Sequence, residues 1–237
     1  MHMPNTFLIL SLSVLSTALP TLTTGSDTGI TASQITTIAP KSQSCANAPV
    51  PKGGAPECAN AQEAAVNIGK SFETYNVTSR AEQAAVIALM AFESAEFQFN
   101  RKQGLGVEGQ GSEFFSSPYQ IVLFSLFMGC ELLTQECIAR NMQSPTYNKK
   151  YTTSIPSLKD KSQCVTAGKV LDLLLANKEY DFGSGAWFLT TQCSSDVRTA
   201  LQKGDEQGWE GYITGCVGTE ASQGRKVYWK RAVGALV

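Results

Sequence analysis

The sequence predicts a mainly α-helical domain, in which a buried central helix is surrounded by other helices with at most a small β-hairpin. Three observations carry this expectation. Apolar residues recur at helical spacing in several stretches. Convincing period-two alternation is missing, so a hairpin could sit only in the glycine-rich stretch after Asn100. The run Ala84-Ala85-Val86-Ile87-Ala88-Leu89-Met90-Ala91-Phe92 is apolar nearly all round, which is the pattern of an interior helix.

Residues 1–18 read as a signal peptide. Phe7 to Leu15 is an apolar run of secretory length, too short to span a bilayer, and Ser16-Thr17-Ala18 offers small residues for cleavage. A secreted, extracellular protein is expected, with no integral membrane segment once the signal is removed. Residues 19–44 are rich in Thr and Ser, with little apolar content beyond Ile30, Ile35 and Ile38, the composition of a flexible linker or propeptide. A single domain is expected over 45–237. Its first segment, Cys45 to Cys58, holds Pro49, Pro51, Gly53, Gly54 and Pro56 and is read as a loop.

Helices follow. Ala61 to Tyr75 has helical periodicity, and Ser79 with Glu82 forms a capping-box pattern ahead of a helix running to about Phe97. Later candidates are Val165 to Asn177, Ser184 to Gln192, Ser195 to Gln202, Asp205 to Cys216 and Gln223 to Ala235, with Gly204 suited to a C-cap. Trp187, Phe188, Trp209 and Tyr212 read as core aromatics. Between Tyr75 and Ser79, Asn76-Val77-Thr78 is a glycosylation sequon.

Charge and cysteine usage bound the chemistry. A net charge of -1, from 19 basic and 20 acidic side chains, gives no field to gather nucleic acid. The cations Arg225, Lys226, Lys230 and Arg231 read as a solvated helix face. Seven cysteines in an exported chain imply disulfides with one thiol left over; Cys45 with Cys58 and Cys193 with Cys216 each close a short segment. No C-x-x-C spacing occurs, so no metal site is expected and no cofactor is implied. The only histidine is His2, inside the signal, which removes Ser-His-Asp and Cys-His catalysis and leaves carboxylates for acid–base work.

Glu93 is the candidate. Its helical neighbours are Val86, Leu89, Met90 and Phe97, and no Lys or Arg lies within one turn. Burial without a cation raises a carboxyl pKa, as a glycosidase general acid requires. Glu96, three residues on, is read either as a second carboxylate or as a salt-bridge partner of Arg101 or Lys102, with the ion pair favoured.

Three short motifs, Ala91-Phe92-Glu93-Ser94-Ala95-Glu96-Phe97, Gly109-Gln110-Gly111 and Asn141-Met142-Gln143-Ser144-Pro145-Thr146-Tyr147, resemble in their order those of the lysozyme superfamily. The likeness is to goose-type lysozymes and lytic transglycosylases, and closer still to fungal secreted muramidase-like domains. It spans about residues 60–237 and implies an α+β lysozyme-like fold. In that family the motif glutamate is the general acid, which falls on Glu93, while Met142 and Gln143 would line the sugar cleft with Tyr147 beside them. The family spacing is roughly twenty residues, whereas Glu93 and Gln143 stand fifty apart, and the excess lies in 112–139. That segment is either an inserted lid or a translated intron, the second favoured because it lacks capping and turn logic.

The resemblance implies a secreted glycoside hydrolase, a muramidase or lytic transglycosylase, acting as a monomer on a β-1,4-linked amino-sugar polymer such as peptidoglycan or chitin. The second carboxylate could be Glu96 or Glu108, or the substrate's own acetamido group. The rival reading is a non-catalytic secreted interaction or effector protein on the same scaffold.

Overall fold

The computed structural model describes residues 29–50, 56–101, 145–163 and 165–237. Among them run ten α-helices and no strand, so the protein is mainly α. The helices are α1 (Ala32–Ile38), α2 (Ala61–Thr74), α3 (Arg80–Glu93), α4 (Pro145–Ser154), α5 (Pro156–Lys159), α6 (Ala167–Leu175), α7 (Lys178–Thr191), α8 (Ser195–Leu201), α9 (Glu206–Tyr212) and α10 (Gln223–Leu236). A 3-10 turn, Pro40–Gln43, follows α1, and a π-turn, Ile213–Val217, extends α9. The signal segment, Lys102, Glu108, the stretch 112–139, Met142, Gln143 and the region where a hairpin was expected lie outside the described residues. None of the described helices is long and apolar enough to cross a membrane.

α3 is central because its sequence offers no polar face to water. Ala84 through Ala91 are all buried, and the helix packs along α10 and against α7 and α8. Its start departs from the capping-box expectation. Ser79 sits at the N-cap without a side-chain bond to the helix. Glu82, at 1% exposure, instead accepts two bonds from Arg198 of α8, Nε at 2.7 Å and Nη2 at 3.3 Å. A guanidinium reaching a buried carboxylate makes a stronger, charge-assisted bond than the N-cap amide does. Its end departs too: α3 stops at Glu93 rather than near Phe97, for a backbone reason given below.

The stretch read as linker or propeptide carries α1. Thr31 and Gln34 form a full capping box, with Gln34 N–H on Thr31 Oγ1 at 3.2 Å and Thr31 N–H on Gln34 Oε1 at 2.8 Å. Ile35 and Ile38, one turn apart on the same face, are fully buried, and Ile30 nearly so. Each such side chain contributes about 1.5–3 kcal/mol of burial, which outweighs the Ser/Thr-rich surroundings. α1 packs on α2 and α10, so the two ends of the described chain meet. Gln34 Nε2 donates to the Ala235 carbonyl at 3.2 Å, and Arg231 Nη1 to the Ile38 carbonyl at 3.4 Å.

The C-terminal half follows its caps. α7 begins at Lys178, six residues before the apolar run suggests, because Asn177 caps it through Glu179 N–H at 2.9 Å. Asp205 caps α9 through Gly208 N–H at 2.8 Å. Gly204 holds φ 74°, the left-handed geometry that lets α8 turn into α9. At Gly208 a Cβ would overlap the Ala200 carbonyl, so only glycine permits this close approach of α9 to α8. α4 and α5 escape periodicity; α4 is a weakly amphipathic, polar helix and α5 has proline in its first turn.

Two apolar clusters result. One surrounds α3 and includes Ile35, Ile68, Phe97, Phe182, Trp209 and Trp229; the other joins α4 to α7 through Tyr151, Leu158, Leu171, Trp187 and Phe188. Two disulfides brace the fold, Cys45–Cys58 with Cα atoms 5.8 Å apart and Cys193–Cys216 with Cα atoms 5.3 Å apart.

Candidate functional site

Glu57, Glu93 and Glu96 are all buried around the end of α3. Carboxylates persist in an interior only when other groups satisfy them, so their partners define what this region does.

Glu93 is met from across the fold. Arg225, in the first turn of α10, places Nε 2.9 Å and Nη2 2.8 Å from Glu93 Oε1, and the two side chains are 12% and 7% exposed. The guanidinium lies 4.9 Å from the Phe92 ring centroid, and its Nη1 donates to the Glu220 carbonyl at 3.1 Å. The expectation of a buried acid without a cation therefore fails: the cation arrives from 132 residues away rather than from the same helix.

Glu96 is held on both oxygens. Oε2 accepts the Lys41 N–H at 2.6 Å, and Oε1 accepts the Tyr228 hydroxyl at 2.8 Å. Arg231 Nη1 stands 4.0 Å from Oε1, and its guanidinium lies 5.0 Å from the Tyr228 ring centroid. Tyr228 in turn packs edge-on to Phe92 at 5.8 Å. Burial, and then the hydrogen bond to Glu96, push the Tyr228 phenol up to about 12. Arg101, one of the two cations expected for Glu96, pairs with Asp172 of α6 at 2.7 Å. Burial opposes the charge of Asp172, but its bonds to Arg101 and Lys169 prevail and hold its carboxyl below the usual range.

The backbone between these acids is unusual. Ala95, Glu96 and Phe97 have φ of 51°, 65° and 64°, three successive non-glycine residues in the left-handed region. Each costs about 1–2 kcal/mol relative to a right-handed turn. Such geometry persists only where surroundings over-determine it, and here they do. Ser94 Oγ donates to the Met90 carbonyl at 2.7 Å and accepts Phe97 N–H at 2.9 Å. Glu96 N–H reaches the Ala91 carbonyl at 2.7 Å, and Ala59 N–H reaches the Phe97 carbonyl at 2.9 Å. Gln98 Nε2 bonds the Lys41 carbonyl at 3.2 Å and Cys58 Sγ at 3.5 Å, while Glu57 Oε2 accepts Asn100 N–H at 2.9 Å and Arg101 N–H at 3.0 Å. The turn is thus clamped by the 3-10 turn and by the residues around Cys58. Ala95→Gly is expected to stabilise the oxidised protein by about 0.5–1 kcal/mol, strain relief less the entropy glycine adds to the unfolded chain. A urea midpoint that falls, or does not move, would show the turn to be unstrained.

Chemically, this hub ties distant segments of one chain together. Its carboxylates act as acceptors for donors on α10 and on the N-terminal segment. Tyr147, expected in a sugar cleft, packs edge-on to Phe188 at 5.1 Å, with Lys150 over its ring at 5.0 Å, within the second apolar cluster. Glu93 and Glu96 share the hub, whereas Met142 and Gln143 lie outside the described residues. The residues that sequence reasoning missed are Arg225, Tyr228 and Arg231. Their spacing of three along α10 was the available signal, a stripe turned towards α3 rather than a solvated face. Lys226 of the same helix is paired as well, 2.8 Å from Glu206 and 3.0 Å from Glu210.

A bifunctional dioxygenase (DOX)-epoxy alcohol synthase (EAS) of Fusarium oxysporum (strain Fo5176) is 38% identical to the chain over 179 residues, which is 72% of this chain and 12% of that protein. No protein-family model matches the chain, and no solved structure matches it. This similarity overturns the reading drawn from the short motifs. A lysozyme-superfamily identity, a glycosidase or muramidase acting in cell walls, a lytic transglycosylase and an effector on a lysozyme-like scaffold all lose their basis, as does a peptidoglycan or chitin-like polysaccharide as partner. Physically, the motif glutamate is an ion-paired structural acid on α10's guanidinium.

Among the described residues no group of three or more His, Cys, Asp or Glu could hold a metal ion, and Cys45, Cys58, Cys193 and Cys216 are all in disulfides.

Proposed function

We propose that this chain is a disulfide-braced helical module that works beside an oxygenase of the dioxygenase–epoxy alcohol synthase kind, without itself supplying the oxygen-activating group. The observation that carries the reading is the coverage of the similarity: most of this chain corresponds to a small part of a much longer protein, 72% against 12%. The chemistry of the hub supports it, since Glu93 and Glu96 hold helices together and face protein donors. On this reading the module's partner is the oxygenase portion, and the substrate class is an unsaturated organic compound oxidised there.

The test has two arms. The purified chain, given a polyunsaturated fatty acid as probe in an oxygen electrode, is expected to consume no O2 and form no conjugated hydroperoxide. The same chain is expected to bind the Fusarium relative from which the matching segment has been deleted, read by calorimetry. Turnover by the chain alone would place the oxidising centre on this chain, and absence of binding to the deleted relative removes the module reading.

A further inference from the structure

We propose that Asn76 is an N-glycosylated residue, carrying its glycan on the turn between α2 and α3. Asn76-Val77-Thr78 is the only Asn-x-Ser/Thr triplet in the sequence. The turn presents it outward. Asn76 and Thr78 are exposed, while Val77 between them is 1% exposed and anchors the turn into the core. Val77 N–H bonds the Phe72 carbonyl at 2.8 Å, and Asn76 N–H bonds the Glu73 carbonyl at 3.2 Å. The backbone is therefore fixed from within, and a glycan on Asn76 Nδ2 displaces no packed group.

Asn76 has φ 51°, and asparagine tolerates the left-handed region better than most residues. Conformation alone could thus account for Asn76, but not for an exposed hydroxyl two residues on. Compartment supplies the second support. The described fold contains two disulfides, which form in oxidising compartments such as the one where glycan transfer occurs. The apolar run Phe7 to Leu15 has the length and composition expected of the entry signal this requires.

The transfer uses a lipid-diphosphate-linked oligosaccharide as co-reactant. Asn76 Nδ2 forms a bond to the anomeric carbon and loses one proton to a base of the transferase. The bond from that carbon to the diphosphate oxygen breaks, and the lipid diphosphate leaves with the electron pair. α3 has 14 residues, so about 20 Å of helix separates Asn76 from the Glu93 hub.

The experiment expresses the full chain, with its own N-terminus, in a yeast secretory host and compares intact mass before and after endoglycosidase. A glycan-sized mass loss on treatment is expected. Asn76→Gln and Thr78→Ala should each abolish it completely, and Thr78→Ser should keep it. Because Thr78→Ala leaves the left-handed asparagine in place, it separates modification from turn geometry. A secreted chain of unmodified mass, a chain retained unmodified inside the cell, or a glycan surviving in Asn76→Gln overturns the proposal.

Discussion

Arg225→Met is expected to cost about 3–5 kcal/mol of stability, one of the two strongest effects the structure predicts. Nε and Nη2 of the guanidinium both meet one oxygen of a carboxylate whose side chain is 7% exposed. Methionine fills similar space over Phe92 but leaves Glu93 buried without that cation. Removing one partner of a buried pair is strongly destabilising, whereas replacing both by apolar groups is often neutral. The double variant Glu93→Leu/Arg225→Met is therefore expected to recover most of the loss. Urea unfolding of oxidised protein measures all three chains. A single variant within about 1 kcal/mol of wild type would give the pair only the weight of an exposed ion pair, and the hub would lose its structural role.

Trp209→Ala is expected to cost about 3–5 kcal/mol, the usual range for truncating a buried large aromatic. Trp209 is fully enclosed, stacks on Trp229 with centroids 5.1 Å apart and planes at 18°, and lies under Lys226 at 6.0 Å. It joins α9 to α10, the helix that also bears Arg225, Tyr228 and Arg231. A double-mutant cycle with Trp229→Ala should yield a coupling of about 0.5–1.5 kcal/mol. Additive losses in that cycle would mean that the rings contribute by burial alone. Intrinsic fluorescence during unfolding reads the same contact, because the stacked pair comprises two of the three tryptophans.

Much of the fold was legible because helical periodicity is a local property. α2, α8 and α10 fall within two residues of where their patterns put them, and α3 was recognisable as interior from its apolar circumference. α1 was missed for a compositional reason: Thr and Ser dominate its stretch, and burial is decided by Ile35 and Ile38 alone. The end of α3 was missed because nothing in Ala95-Glu96-Phe97 announces left-handed backbone; that geometry is imposed by Lys41, Cys58 and Ala59 from outside.

The candidate site was half legible. Glu93 stood out as an acid among apolar helical neighbours, and Glu96 as a second carboxylate or an ion-pair partner; both are buried. Their donors did not stand out, because Arg225 and Tyr228 each lie 132 residues from the acid they serve. Short motifs then filled that gap with a chemistry the hub does not have. A run of seven residues constrains local shape, but not which side chains the rest of the chain will bring to it.

The contact between Gln34 and Ala235, 201 residues apart in the chain, bears on how such a unit is carried. A folded unit whose entry and exit lie side by side can be spliced into a host protein without pushing the host's own flanks apart.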